Sequence, residues 1–212
     1  PLAEKYYSTS PYAFCNNNPV NFVDPDGRSW VNSLGQVIYD KNGLSAYASM
    51  EEVKLVKAML QTRTGTKQLD KIACSPVDIV VVIDNNEVTK KGFGHNKIIG
   101  IKYNTRTGKY YPSKECEIVI YKNKAESRSS LLETYEAMAV NFAHEIEHTT
   151  SDNIKLVLEN YGKDAIEEYP NLISQNMISE FYVTKPLDSL DALYRLIEEK
   201  LQEEANIQIK FK

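Results

Sequence analysis

Cysteine, histidine and tryptophan are scarce in this chain of 212 residues, which has three, three and one of them. Cys15, Cys74 and Cys116 are an odd number and show no CxxC or other metal-ligand spacing. Neither a disulfide framework nor a cysteine-based metal site is therefore expected, and the bland reading is three free, partly buried thiols. Long apolar runs are missing too. The longest, Ile79 to Ile83, has the length of a strand and falls far short of the roughly 18–20 residues of a membrane helix, so no membrane span is expected. Nor is there an excess of basic residues: 25 Lys and Arg stand against 29 Asp and Glu, a formal net charge of −4. Phosphate backbones are held by clustered Lys and Arg, so a broad nucleic-acid surface is not expected either. The composition itself, 42% apolar and 25% charged, is that of a globular chain. Its length suits one domain with an appendage. No internal repeat or low-complexity tract is present.

The appendage is legible at the start. Residues 1–28 are rich in Tyr, Asn, Pro and Asp, and Asn16-Asn17-Asn18-Pro19 and Asp24-Pro25-Asp26-Gly27 are strong turn signals. Short extended pieces between tight turns are expected there, with no core of their own. Ser10-Pro11-Tyr12, Asn17-Asn18-Pro19 and Asp24-Pro25-Asp26-Gly27 together resemble the end of the Rhs-repeat-associated core domain, whose closing motif has the form YSPYxYxxNNPxxxxDPxG. Phe14 stands where that family often has Tyr. In Rhs and related polymorphic toxins this motif closes a large β-repeat shell, and a variable C-terminal toxin domain follows it. The resemblance implies that residues 1–28 are a junction segment and that 29–212 are the effector domain. Pro1 and the missing charged-then-apolar leader fit a piece of a longer chain.

In the effector half, Val37-Ile38-Tyr39 lies between turn signals at Leu34-Gly35 and Lys41-Asn42-Gly43, which predicts a hairpin. Ser49-Met50-Glu51-Glu52 has the form of a capping box, and Val53, Val56, Met59 and Leu60 follow at helical spacing. Gly65 is expected to end that helix, and a second short one is expected over 66–73. Val77–Asp84, Lys97–Tyr103 and Glu117–Tyr121 read as strands of an antiparallel meander. The rest reads as helices. One runs from the cap Ser130-Leu131-Leu132-Glu133 to about Thr150, two cover Asn153–Tyr161 and Asn171–Tyr182, and a last one runs from Asp188 to about Glu204. A small, mostly antiparallel sheet followed by helices is an α+β domain.

The chemistry concentrates in His144-Glu145-Ile146-Glu147-His148, an HExxH inside the predicted long helix. Residues four apart on a helix share a face, so both imidazoles can hold one Zn²⁺. The Glu beside the first His reaches the water that such a metal activates and serves as general base. The apolar stripe Leu131, Tyr135, Met138, Phe142 and Ile146 lies roughly 100° or more from the His face, so the helix can bury one and present the other. Glu147 departs from the motif's usual pattern, since most families with it have a neutral residue there. A catalytic zinc needs a third protein ligand and an open position. The extended HExxHxxGxxH form is absent, with Ser151 and Ile154 at the diagnostic positions, so a carboxylate is expected. Glu159, Glu167, Glu168 and Glu180 are the candidates.

The motif, a downstream Glu and the element order resemble zincin-type metallopeptidases. The thermolysin-like members carry the third ligand about twenty residues after the second His. That resemblance implies Glu168, supported by Glu168-Tyr169 and Asn176, with Glu167 as the neighbour to test next. It implies a sheet before the active-site helix whose edge strand lines the cleft and pairs with extended peptide. The expected activity is a zinc-dependent endopeptidase, with His144, His148 and Glu168 holding Zn²⁺ and Glu145 as base. The Rhs resemblance adds export or delivery to a target cell, a protein or peptide substrate there, an upstream shell and a cognate immunity protein. Two alternatives stand beside it: a metal-stabilised binding module without activity, and a zinc amidohydrolase acting on cell-wall peptides. His95 reads as a loop histidine, with oxyanion or substrate contact as its sharper reading. Tyr161, Tyr169 and Tyr182 are open as donors to a tetrahedral intermediate. Ser127, Ser129 and Ser130 near Arg128 form no Ser-His-Asp set.

Overall fold

In the computed structural model, residues 29–85, 92–128, 132–160 and 163–183 are described. The junction segment 1–28, Ser130 and Leu131 of the expected cap, Tyr161 and the expected helix from Asp188 lie outside them. The described chain is α+β. Six strands, β1 (Trp30–Val31), β2 (Val37–Asp40), β3 (Gly43–Leu44), β4 (Ile79–Asp84), β5 (Gly94–Asn104) and β6 (Lys109–Tyr121), form one sheet in the order β3-β2-β1-β4-β6-β5. Six helices accompany it: α1 (Met50–Leu60), α2 (Arg63–Ala73), α3 (Lys122–Arg128), α4 (Thr134–His148), α5 (Ser151–Asn160) and α6 (Lys163–Val183). No helix among the described residues is long and apolar enough to cross a membrane.

Three of the five strand pairings are antiparallel, but the expected meander is not what forms. β4 and β6 are parallel neighbours, with Val81 opposite Ile118 and Ile83 opposite Ile120. β5 returns antiparallel on the far side of β6. The side chains account for this. Ile79, Val81, Ile118 and Ile120 are at most 4% exposed, so the two β-branched runs take the covered interior of the sheet. The strand that carries Lys97 and Lys102 takes the edge. The β5–β6 hairpin turns at 105–108, where Asn104 Oδ1 accepts from the backbone N–H of Arg106 and Thr107.

The capping box at the start of α1 is present: Ser49 N donates to Glu52 Oε2 at 2.6 Å and Glu52 N to Ser49 Oγ at 3.3 Å. Gly65 does not end α1. Gln61 does, and Gly65 lies in the first turn of α2. There the two helices cross so closely that a Cβ on residue 65 would stand 2.3 Å from the carbonyl oxygen of Met59. Only glycine fits that approach. α2 also has a cap that no local pattern announces. Glu180, on α6, accepts from Thr64 N at 2.8 Å and from Thr64 Oγ1 at 2.7 Å. Its carboxylate satisfies an orphan N–H at the positive end of the helix.

α4 lies across this framework. Met138, Phe142 and Ile146 of the expected stripe are fully buried, and Phe142 meets Trp30 edge-on at 4.9 Å between ring centroids. The helix begins at Thr134, later than the Ser130 cap implies, and Glu136 takes the N–H of Glu133 at 2.9 Å. The unusual Glu147 is 5% exposed. It accepts from Gln68 Nε2 at 2.7 Å and from Lys71 Nζ at 2.5 Å, and its Oε1, 3.1 Å from Thr150 Oγ1, shares that hydroxyl's proton with the residue's own carbonyl. A buried carboxylate is tolerable when its oxygens are partnered this fully, and here it ties α4 to α2. α6 is continuous through Pro170, where the sequence suggests a break. The proline removes the N–H that the Ile166 carbonyl would otherwise accept.

Glu180→Ala strips α2 of two hydrogen bonds, one to its first-turn backbone. Chemical denaturation should show a loss of about 1–2 kcal/mol.

Candidate metal centre

Two imidazoles and one carboxylate converge where α4 faces α6. His144 Nε2 and His148 Nε2 are 3.3 Å apart. Glu167 Oε2 is 3.1 Å from His144 Nε2, and its Oε1 is 3.8 Å from His148 Nε2. One ligand atom from each of the three lies within 4.8 Å of the others. The donor set can be tested against a metal by distance alone. Zinc–nitrogen bonds of about 2.0–2.1 Å put the corners of a tetrahedron about 3.3–3.4 Å apart; the two Nε2 atoms have that separation at 3.3 Å, and the Glu167 oxygens bracket it at 3.1 and 3.8 Å. Nitrogen and carboxylate donors in this number suit a borderline divalent ion such as zinc.

The two histidines are together because α4 repeats its direction every four residues. The carboxylate comes from α6, and here the structure departs from the sequence expectation. Glu167 meets the imidazoles, while Glu168, exposed like Glu167, forms no part of the cluster. Neighbours on a helix point about 100° apart, so only one of the two can face α4. α6 starts at Lys163 and runs unbroken through Pro170, and that fixes which one does. The remaining carboxylate candidates are occupied elsewhere. Glu159 pairs with Lys155 at 3.8 Å on the surface of α5, and Glu180 caps α2.

Each imidazole has a partner on its other nitrogen. Ser174 Oγ, seven residues after Glu167 on α6, is 3.2 Å from His144 Nδ1. Asn153 Nδ2, in the first turn of α5, is 3.4 Å from His148 Nδ1. Burial and the neighbouring His144 lower the pKa of His148 to about 4. The ring is therefore neutral near pH 7, the form in which an imidazole coordinates.

Glu145 stands beside this cluster against the edge strand. It is 7% exposed, and Asn96 Nδ2 donates to its Oε2 at 3.3 Å. β5 comes close because residue 94 is glycine. A Cβ there would lie 3.1 Å from Glu145 Oε1 and 2.8 Å from the Val119 carbonyl oxygen. Burial, and then the charge of Glu167, raise the pKa of Glu145 to about 8. A divalent cation held by His144, His148 and Glu167 would bring that pKa down again and leave Glu145 ionised as a base.

The cluster opens into a cleft of about 540 Å³. Phe93, Gly94 and Asn96 line one side, Asn141, His144, Glu145 and His148 the floor, and Ile166, Glu167 and Asn171 the other side. Among the described residues β5 has a neighbour only in β6, so an edge of the sheet runs along this cleft. His95 also lines it, from a strand and not from the turn its glycine neighbours suggest. Its Nδ1 is 2.6 Å from the hydroxyl of Tyr121. Tyr169 is exposed, Tyr182 is 5% exposed, and neither lines the cleft. Cys74 and Cys116 are free thiols away from it, and burial pushes Cys116 up to about 12. Gly94, Asn96, Asn153 and Ser174 carry no local signal of their roles. They become visible only once β5, α5 and α6 are packed on α4.

No family model, curated protein or solved structure matches this chain.

Glu167→Ala and Glu168→Ala separate the two neighbouring carboxylates. In a zinc titration against a chromophoric chelator, the first should weaken binding by at least about 100-fold, beyond what an outer partner of a ligand contributes, and the second by less than about twofold.

Proposed function

We propose that this chain is a zinc-dependent endopeptidase with a zincin-like arrangement of sheet and helices. His144, His148 and Glu167 are its metal ligands and Glu145 its general base. The observation that carries the reading is a cluster of three ligand atoms with a buried carboxylate beside it, at the floor of a cleft. A structural zinc site closes on four protein ligands. Among the described residues this cluster has three, and Glu145 is held next to it by Asn96 and Gly94 without joining it.

When bound, zinc supplies Lewis acidity to the scissile carbonyl and lowers the pKa of an attacking water. The chain's own residues do the rest. Glu145 takes the proton of the attacking water and passes it to the leaving amine. Asn96 holds the carboxylate through Oε2 and leaves Oε1 for that transfer. The free edge of β5 offers backbone N–H and C=O groups to an extended peptide, and Phe93 and Ile166 give apolar walls to its side chains. Among the described residues the cleft's lining has no Lys or Arg, which suits a neutral peptide segment better than a phosphate backbone.

The biological setting rests on the junction motif of residues 10–27. It supports a toxin domain carried at the end of an Rhs-type polymorphic protein and delivered from an upstream shell into a target cell. A cognate immunity protein that blocks the cleft belongs to the same reading.

The test begins with metal content. Chain purified without chelator should hold about one zinc by elemental analysis, and His144→Ala should hold none. Incubated with a peptide library, the wild type should generate new termini by mass spectrometry. Glu145→Gln should keep the zinc and cut about 100- to 10,000-fold more slowly, the usual contribution of a positioned base. A Glu145→Gln protein that cuts at the wild-type rate would remove Glu145 from the mechanism.

A further inference from the structure

A metal-bound imidazole makes opposite demands on its two nitrogens. Where Nε2 gives its lone pair to a metal, Nδ1 carries the proton and needs an acceptor, and that acceptor fixes both tautomer and ring orientation. For His144 the hydroxyl oxygen of Ser174 is in place at 3.2 Å. His148 turns Nε2 toward the cluster, 3.3 Å from His144 Nε2, and its Nδ1 toward α5. The group waiting there is the side-chain amide of Asn153, with Nδ2 3.4 Å from Nδ1.

Asn153 is 2% exposed, so solvent does not compete for its amide. Its Oδ1 has no hydrogen-bond partner among the described residues. An amide oxygen buried without a donor is costly and uncommon, and it calls for a reason. A half-turn about the side chain's last rotatable bond exchanges the positions of Oδ1 and Nδ2 and leaves the rest of the residue where it is. It sets the unpartnered oxygen against the one N–H that metal coordination obliges His148 to donate.

We infer that Asn153 is the positioning residue for His148: its Oδ1 accepts the Nδ1 proton and so holds the Nε2 lone pair toward the cluster of His144 and Glu167. The assignment rests on the metal reading above and goes beyond it, since a zinc site needs no asparagine at this position. The backbone explains how residue 153 gets there. α4 ends at His148 with Thr149 as its C-cap, and α5 begins at Ser151, with Ile154 N bonded to Thr150 O at 3.0 Å. This tight junction brings the first turn of α5 beneath the last turn of α4. Thr150 Oγ1 donates to the Glu147 carbonyl oxygen at 2.8 Å and accepts from Asn153 N at 3.4 Å, which holds the asparagine's backbone in register with His148.

Aspartate accepts hydrogen bonds and cannot donate, and leucine does neither, so the two substitutions separate an accepting role from a donating or space-filling one. Wild type, Asn153→Asp and Asn153→Leu, stripped of metal, would be titrated with zinc against a chromophoric chelator. Asn153→Leu should bind about 10- to 100-fold more weakly, and Asn153→Asp as tightly as wild type or tighter. In a long-range proton–nitrogen spectrum, the zinc-loaded wild type should show His148 protonated at Nδ1, with that proton protected from exchange. A purely structural asparagine would weaken both variants alike. Asn153→Asp binding as poorly as Asn153→Leu, or Asn153→Leu binding like wild type, overturns the assignment. Should Asn153→Leu not fold, the aspartate variant and the wild-type spectrum decide: a tenfold loss in Asn153→Asp, or an unprotonated Nδ1, has the same meaning. A wild type that takes up no zinc is a distinct result, because it sinks the metal reading and this assignment with it.

Discussion

One turn of α4 has to satisfy four neighbours at once, and the rest of the described structure is arranged around that constraint. Between His144 and His148 the helix advances about 100° per residue, so five consecutive side chains sweep its whole circumference. Ile146 goes into the core, Glu147 to α2, Glu145 to the edge strand, and the two histidines to the cleft and α6. No rotation of the turn improves one of these without spoiling the others. The bond set around Glu147 is what holds the turn in phase. Its carboxylate is too buried to go unpartnered, and its partners Gln68 and Lys71 sit on a helix fixed by its own contacts. The charged residue that looks out of place in the motif is thus the one that locks the motif's orientation.

α6 joins two distant requirements. Near its start Glu167 faces the imidazoles, one turn beyond Pro170 Ser174 meets His144, and near its end Glu180 caps α2. α2 in turn supplies Gln68 and Lys71 to Glu147 on α4. The contacts close a ring from α4 to α6 to α2 and back to α4. Each helix in it is held by a polar side chain of another, while the apolar packing of Met138, Phe142, Met177 and Phe181 fills the middle.

Much of this is legible in the sequence where the determinants are local. The cap of α1 at Ser49 and Glu52, the buried stripe of α4 and the two imidazoles on one face follow from spacing alone, because helical periodicity is a property of adjacent residues. The strand order is not of that kind. Val77–Asp84 and Glu117–Tyr121 look like members of any sheet, and only competition for the covered interior makes them parallel neighbours. The choice between Glu167 and Glu168 depends on the rotational phase of α6. That phase is set by packing along the whole helix, and Pro170 obscures it by suggesting a start where there is none. Asn153 and Ser174 were invisible for a simpler reason. A single Asn or Ser acquires a role only through what it is packed against.

The hairpin of β5 and β6 has a consequence for the molecule's behaviour at high concentration. An eleven-residue strand with a free edge is an invitation to a second copy of the same chain. β5 is not uniform, however. Its register with β6 shifts between Ile99 and Ile101, at Gly100 with a φ of 73°, and Ile99, Ile101 and Tyr103 are all more than a third exposed beyond the cleft. The kink keeps this sticky outer half from continuing in line with residues 94–98. Lys97 and Lys102, exposed on either side of it, place lysine side chains along this edge. The strand is thereby divided into an inner half that can receive a visiting backbone and an outer half protected against fibre-like self-assembly.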